Sequence, residues 1–321
     1  MRNYVLKRLG LMVVTFFIII FMVFVFIKLM PNYYQVGLGQ DPEIYERWLE
    51  SQGYNKPILT QFWMWLKAAS KGDFGISFHK NNRQVLPYLM RRLPRTIRIN
   101  LFPFLISVPI GITLGIIAAL KKNKMTDHII SVMVIIFISV PSFVVAVLLQ
   151  YFLVYEWKVL PSAFVDNMAP MFSRNAILTR AMPVFVLSVS TVAGWTRLLR
   201  AELTETLTQE YMLLARAKGL TRGQATVRHA LRNAFVPFSP AIIGGFISLL
   251  GGSLIIEQTF MITGIGRSYI ESLERPRGVP DYPMIMMLNV FYVSIGLLAN
   301  IVGDLSYGVI DPRIRMGAGK Q

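Results

Sequence analysis

Long apolar runs separated by short basic stretches dominate this chain. A helix rises about 1.5 Å per residue, so crossing about 30 Å of hydrocarbon takes about 20 mostly apolar residues. Runs of that kind cover residues 9–29, 99–120, 129–155, 181–196, 240–256 and 284–302, and they predict six transmembrane helices. The fourth is short and holds Ser188, Ser190, Thr191 and Gly194. So many small polar groups suit a helix facing other helices or a wet cavity, and its helix is expected to continue past Arg197 into water. Pro183 fits its first turn.

Two stretches between the runs have a helical pattern of their own. Ile58, Phe62, Trp65, Leu66 and Ala69 recur at helical spacing, and Trp63 and Trp65 suit a helix lying at the membrane interface. Such a helix could cap the subunit or dock a partner, and the pattern alone leaves both open. The second stretch, 210–237, predicts two short helices broken at Gly219, with Thr221 capping the start of the second. Val227, Ala230, Leu231, Ala234 and Phe235 form its apolar stripe, while Arg228 and Arg232 share another face one turn apart. Together these helices predict a blunt protrusion that a soluble protein could grip.

Composition agrees with a bilayer: 54% of residues are hydrophobic, 16% are charged and the mean hydropathy is +0.50. A net charge of +16 could mark a nucleic-acid binder, but the basic residues fall between uncharged runs and read as membrane flanks. Arg2, Lys7 and Arg8, the turn Lys121, Lys122 and Lys124, and the basic segment 197–235 are expected in the cytoplasm, with both termini. The segment 31–98 is also basic, yet it exceeds the length at which the charge rule has force, so the short loops decide. Residues 9–29 are too long for a secretory apolar core and no small-residue cleavage site follows, so the run is read as an uncleaved span.

The same inventory excludes several chemistries. The chain has no cysteine, and its histidines, His79, His128 and His229, are far apart; no metal or nucleophile site is expected, and no cofactor. The second through sixth runs hold no Asp, Glu, Lys, Arg or His, which argues against proton coupling. No Gly-x-x-x-x-Gly-Lys-Ser/Thr phosphate loop occurs, so ATP hydrolysis of that type would have to come from a partner. The expected divisions are an N-terminal span (1–30), an extracytoplasmic segment (31–95), a five-helix core (96–303) containing the loop 197–237, and a cytoplasmic tail (304–321).

The most specific signal is Ala215-Arg216-Ala217-Lys218-Gly219-Leu220. It resembles the coupling motif of permease subunits of ATP-binding-cassette importers, an alanine followed four residues later by glycine, in the form found in the dipeptide and oligopeptide branch. Leu213 stands where the general motif has an acidic residue, and Pro237 lies farther downstream, both usual for that branch. Gly72-Asp73-Phe74-Gly75-Ile76-Ser77, Arg92-Leu93-Pro94-Arg95-Thr96, Glu257-Gln258-Thr259-Phe260, Gly264-Ile265-Gly266-Arg267, Asp281-Tyr282-Pro283 and the stretch 304–315 are similar to the same branch. The long segment after the first span resembles that of the subunit with the larger external loop.

The resemblance implies an all-α integral membrane protein with the type I importer permease fold, six transmembrane helices and cytoplasmic coupling helices, in a prokaryotic cell membrane. It implies a second homologous permease subunit, two cytoplasmic ATPase subunits and an extracytoplasmic substrate-binding protein as partners. Tyr211, Leu214, Ala215, Arg216, Ala217, Lys218, Gly219, Leu220 and Arg222 are the expected ATPase-coupling residues. Ser188, Thr191, Ser248, Glu257, Gln258 and Asn289 are the candidates for a translocation path or gate. Packing competes with that reading for the small residues Gly244, Ser248, Gly251 and Gly252, and interhelical hydrogen bonding for Asn289, Ser294 and Asn300. Asp304 and Asp311 are expected to pair with arginines or cap helix ends. The cargo stays open among dipeptide, longer peptide, nickel chelate and oligosaccharide. A passive channel or scaffold subunit is the rival from another class, and a membrane-embedded hydrolase a more remote one, for want of paired catalytic groups.

Overall fold

A computed structural model of the chain describes residues 2–30, 50, 55–161, 173–274 and 280–310. Five helical stretches are long and apolar enough to cross a membrane: Val5–Leu29, Val85–Leu120, Arg174–Leu207, Arg222–Thr259 and Tyr282–Gly308. They lie in helices α1 (Arg2–Leu29), α3 (Val85–Leu120), α6 (Arg174–Leu207), α9 (Arg232–Ser248) with its flanks, and α12 (Tyr282–Ile310). The remaining predicted span, 129–155, is a bent pair, α4 (Met125–Ser139) and α5 (Ser142–Gln150), the latter ending in a π-helical turn at Tyr151–Glu156. The two halves meet at 87°. Pro141 is the cause: it lacks an N–H, and it forces Val140 out of the helical region to φ −79° and ψ 121°. Counted as one broken span, the pair makes the sixth crossing.

Two helices run far beyond their apolar cores. The 36 residues of α3 extend about 54 Å, more than about 30 Å of hydrocarbon needs, and its N-terminal third holds Arg91, Arg92 and Arg95. Helix α6 starts at a Ser173 cap and continues past Arg197 to Leu207, as its polar C-terminal half suggested. These two helices pack closely because Gly111 and Gly115 leave no side chain between them. A methyl on Gly115 would stand 3.0 Å from the Leu199 Cβ, and one on Gly111 would collide with the Trp195 Cβ.

The segment after Gly219 differs from the short helix expected. Residues Arg222–Ala225 (α8), a π-helical turn at Thr226–Leu231 and α9 follow one another without a break, so the protrusion flows directly into a span. The wider π turn shifts the helical register. Ala230 and Ala234 are buried and Leu231 and Phe235 half-buried as the stripe required, but Val227 is turned outward, 65% exposed. Past α9, a 3₁₀ turn at Leu249–Gly251 and Gly252, at φ +68°, interrupt the fifth apolar run before α10 (Leu254–Thr259) and α11 (Ile265–Leu273).

Outward faces of the spans are apolar. Phe26 on α1 and Ile135 on α4 are 67% and 63% exposed, a cost in water and none in lipid. Inward, Ile20, Phe24 and Ile27 of α1 pack against Tyr282, Ile285 and Met286 of α12. Helix α2 (Ile58–Ala69) lies on this seam through Ile58, Phe62 and Trp65, with Trp63 facing out. An Arg8–Asp304 ion pair of 2.8 Å brings the start of α1 and the end of α12 to one side. Asp311 and the rest of the tail lie outside the described residues.

Candidate coupling site and translocation path

Helix α7 (Glu210–Ala217) is the core of the protrusion. Glu210 sits in its first turn, where a negative charge complements the helix dipole. Met212 and Ala215 turn inward and join a buried cluster with Leu199 and Leu203 of α6 and Ala225, Ala230 and Ala234 of the segment that follows. Ala215 is small and only 6% exposed, which lets the helix sit close on the segment that follows it. The C-terminus closes with two hydrogen bonds: the Gly219 N–H donates to the Arg216 carbonyl at 3.0 Å and the Leu220 N–H to the Ala215 carbonyl at 3.3 Å. This Schellman closure needs a left-handed residue, and Gly219 is at φ +92°. Immediately after it, Thr221 and Gln224 form a reciprocal capping box, with bonds of 3.3 and 3.0 Å. The alanine-to-glycine spacing thus has a physical reason: one residue seats the helix, the other ends it.

What faces outward is the opposite edge of the same helix. Leu213 and Leu214 are 68% and 58% exposed, and Arg216, Ala217, Lys218 and Arg222 are exposed beside them. Tyr211 and Leu220 are half-buried against the cluster beneath, and the Tyr211 Oη is buried without a hydrogen-bond partner among the described residues. Leu213 and Leu214 thus form an exposed apolar pair ringed by cations. Leu213 was missed as part of that face, although the absence of the usual acidic residue there was the signal. Also missed was the brace behind it. Asp127, at the start of α4, takes a bidentate pair of bonds from Arg200 of α6 at 2.6 and 2.8 Å, and one from the Asn123 N–H at 3.0 Å. The lysine-rich turn 121–124 is thereby tied to the helix that leads into α7.

The path candidates separate into groups. Thr191 and Ser248 line one open cleft of about 170 Å³ together with Asn100, Trp195 and Gly245. Ser188 is buried at the α3–α6 contact, where its hydroxyl donates to the Val184 carbonyl at 2.7 Å and its own carbonyl accepts from Ser107 at 3.2 Å. The half-buried Asn289 amide donates to the Ile285 carbonyl at 2.8 Å within α12. Gln258 is half-buried, with its Oε1 lacking a partner among the described residues.

Glu257 stands apart from that cleft. Only 1% exposed, it accepts from the Thr96 hydroxyl at 3.0 Å and from the Arg267 N–H at 3.1 Å, while the Thr96 Oγ1 accepts from the Ile265 N–H at 2.8 Å. This node joins α3 to the start of α11. It fits only because Gly252 and Gly264 crowd it without side chains: a Cβ on either would run into the carboxylate and Thr96. Nothing in the sequence pairs Thr96 with a residue 161 positions away.

At the N-terminal end of α3, Glu271 of α11 gathers Lys80 at 2.8 Å, Arg92 at 3.1 Å and Arg267 at 2.9 Å. Burial pushes its carboxyl up, but the Lys80 hydrogen bond and the charges of Arg92, Lys80 and Arg267 outweigh that and leave it below the ordinary value. Asp281 is buried and accepts from the Ser77 hydroxyl and from the N–H groups of Phe78 and His79 at 3.2 and 3.3 Å. The loop around residues 77–80 is therefore pinned to α11 and the start of α12.

Comparison with known proteins places this arrangement. The chain is 32% identical over 316 residues to the dipeptide transport system permease protein DppB of Lactococcus lactis subsp. cremoris, covering 98% of this chain and 100% of that one. It is 30% identical over 320 residues to the oligopeptide transport system permease protein AppB of Bacillus subtilis, covering 98% and 99%. It is 31% identical over 318 residues to the glutathione transport system permease protein GsiC of Escherichia coli, again covering 98% and 99%. A chain of the MetNI methionine ABC transporter, solved in inward-facing conformations, matches with a TM-score of 0.52 at 16% identity over 70% of this chain and 96% of that one. That likeness is one of fold, and the fold is the type I importer permease expected from the sequence. The profile of a membrane-component N-terminal region matches residues 1–100. The profile described as binding-protein-dependent transport system inner membrane component matches residues 111–316, and the chain belongs to that family.

Proposed function

We propose that this chain is one of two pore-forming subunits of an ATP-driven peptide importer, and that α7 is its coupling element. The observation that carries the reading is the construction of α7: an exposed Leu213–Leu214 face ringed by cations, held rigid by a Schellman closure and a capping box in tandem. Rigidity matters because a push on a frayed loop would dissipate, whereas a push on α7 reaches two spans. Helix α6 leads into α7, and α8 runs unbroken into α9.

The partners in this reading are a second, homologous permease subunit, two cytoplasmic ATPase subunits and an extracytoplasmic binding protein. Closure of the ATPases on ATP would displace α7, rock α6 and α9, and open the cleft at Thr191 and Ser248 toward the outside. The binding protein would then release cargo into it. Glu257 serves as an anchor that keeps the α10–α11 turn on α3 during that motion. The coupling side is cytoplasmic, in keeping with the lysine turn tied to α6 through Asp127 and Arg200 and with Arg8 paired to Asp304. Peptide cargo is supported by the relatives, which are named for dipeptide, oligopeptide and glutathione transport.

Purified alone in detergent, the chain should hydrolyse no ATP. Assembled with its second permease and ATPases, it should hydrolyse ATP at a rate that loaded binding protein raises. Robust hydrolysis by the isolated chain would overturn the proposal.

A further inference from the structure

The outer end of α3 carries a feature that coupling does not use. An open cleft of about 730 Å³ is lined by Arg83, Arg91, Arg92 and Arg95, with Tyr88 and Thr263. No carboxylate is among the described residues that line it. Its arginines differ in freedom. Arg92 is fixed: its guanidinium lies over the Tyr88 ring at 4.5 Å and bonds the Ser268 hydroxyl at 2.8 Å and Glu271 at 3.1 Å. Arg95 reaches the Thr263 carbonyl at 3.4 Å. Arg83 and Arg91 are exposed at the rim.

We infer that this cleft receives the carboxylate of the cargo as it leaves the binding protein, before it meets the spans. The inference deepens the peptide-importer reading and rests on it. Three observations carry it. Guanidinium groups match a carboxylate with paired, parallel hydrogen bonds, and here Arg83 and Arg91 are exposed at the rim without a side-chain partner among the described residues, while Arg92 is held in place by stacking. The cleft is concave and of a size that holds a small ligand rather than a flat protein face. It also borders the Glu257 node, since Arg95 precedes Thr96 and Thr263 precedes Gly264. The cleft therefore adjoins both sides of the contact that joins α3 to α11, through Arg95 and Thr263. Beyond it, the apolar runs of the second to sixth spans offer a carboxylate no cation. An open, hydrated cleft holds an anion weakly and briefly, which suits a site that must hand its ligand on.

The test uses the whole complex in proteoliposomes, with a dipeptide that bears a photoreactive side chain and a free C-terminal carboxylate. The variants are Arg83→Gln/Arg91→Gln, its Lys/Lys counterpart, and Lys67→Gln, exposed on α2, as a control. In the wild type trapped facing outward, light should attach the dipeptide to Tyr88, Thr263 or their immediate neighbours. In the double Gln variant labelling should fall at least fivefold and maximal uptake likewise, with the half-saturating concentration of loaded binding protein unchanged. The Lys pair should recover part of both, and Lys67→Gln should behave as wild type. Absence of label in the wild-type cleft, or a double variant that labels and transports normally, would overturn the inference. A shift in the half-saturating concentration of binding protein, with or without slower uptake, would assign the arginines to protein docking and overturn it too. A wild-type complex that imports nothing would instead overturn the importer reading beneath.

Discussion

Gly219 is the single residue on which the closure of α7 depends. Its φ of +92° suits glycine, and a Cβ there would meet nothing within 4 Å, so the cost of a substitution is conformational rather than steric. Gly219→Val is expected to strain the closure by about 1–3 kcal/mol, leave the spans inserted, and uncouple ATP hydrolysis from loaded binding protein. Gly10→Val, in α1 with open space around it, should be much milder; equal ATPase stimulation in the two variants would remove Gly219 from the coupling role. Glu271 makes a second prediction, in pH. Its folded value lies below the ordinary 4.5, so its contribution is fully present above about pH 4.5 and is lost as pH falls through the folded value. Melting of Glu271→Gln in detergent should therefore lie well below wild type at pH 7, and the gap should narrow toward pH 4. Much of this was readable in the sequence only as residue identity. Ala215 and Gly219 announced themselves by spacing, and Glu257 by its motif. That Glu257 meets Thr96, and Asp127 meets Arg200 73 positions on, depends on how spans pack, which no local pattern encodes.

Among the described residues, hydropathy located each helical stretch long and apolar enough to cross a membrane, but not its shape. A run such as 129–155 looks uniform to any average over about 20 residues. The proline that bends it by 87° acts through one missing N–H and one displaced neighbour. The π turn at Thr226–Leu231 was equally invisible, because it changes register without changing composition, and it is why Val227 points away from the stripe. The brace between α4 and α6 should carry measurable stability. Asp127→Ala removes the bidentate partner of Arg200 and the acceptor of the Asn123 N–H, a loss of about 2 kcal/mol. A fluorescence-monitored melt should drop, and Asp127→Asn should recover only part of the loss. If Asp127→Ala melts with the wild type, the ion pair is not a brace.

For the whole molecule, side-to-side order decides whether α7 can meet a cytoplasmic partner. The protein has no cysteine, so single cysteines report cleanly. Cysteine at Ser70, exposed at the end of α2, should react with a membrane-impermeant thiol reagent in intact cells, and cysteine at Asn123, exposed in the lysine turn, should not. The reverse pattern would invert the topology and take α7 away from any cytoplasmic ATPase. Transport itself is the most direct test, because a passive channel and a driven pore share a membrane fold and differ in what they do with a gradient. Proteoliposomes holding the four-subunit complex, with ATP on the α7 side and loaded binding protein on the other, should accumulate a radiolabelled dipeptide above its outside concentration. Removal of either ATP or binding protein should abolish that accumulation. Equilibration of the dipeptide to equal concentrations without ATP, and no accumulation with it, would contradict the account.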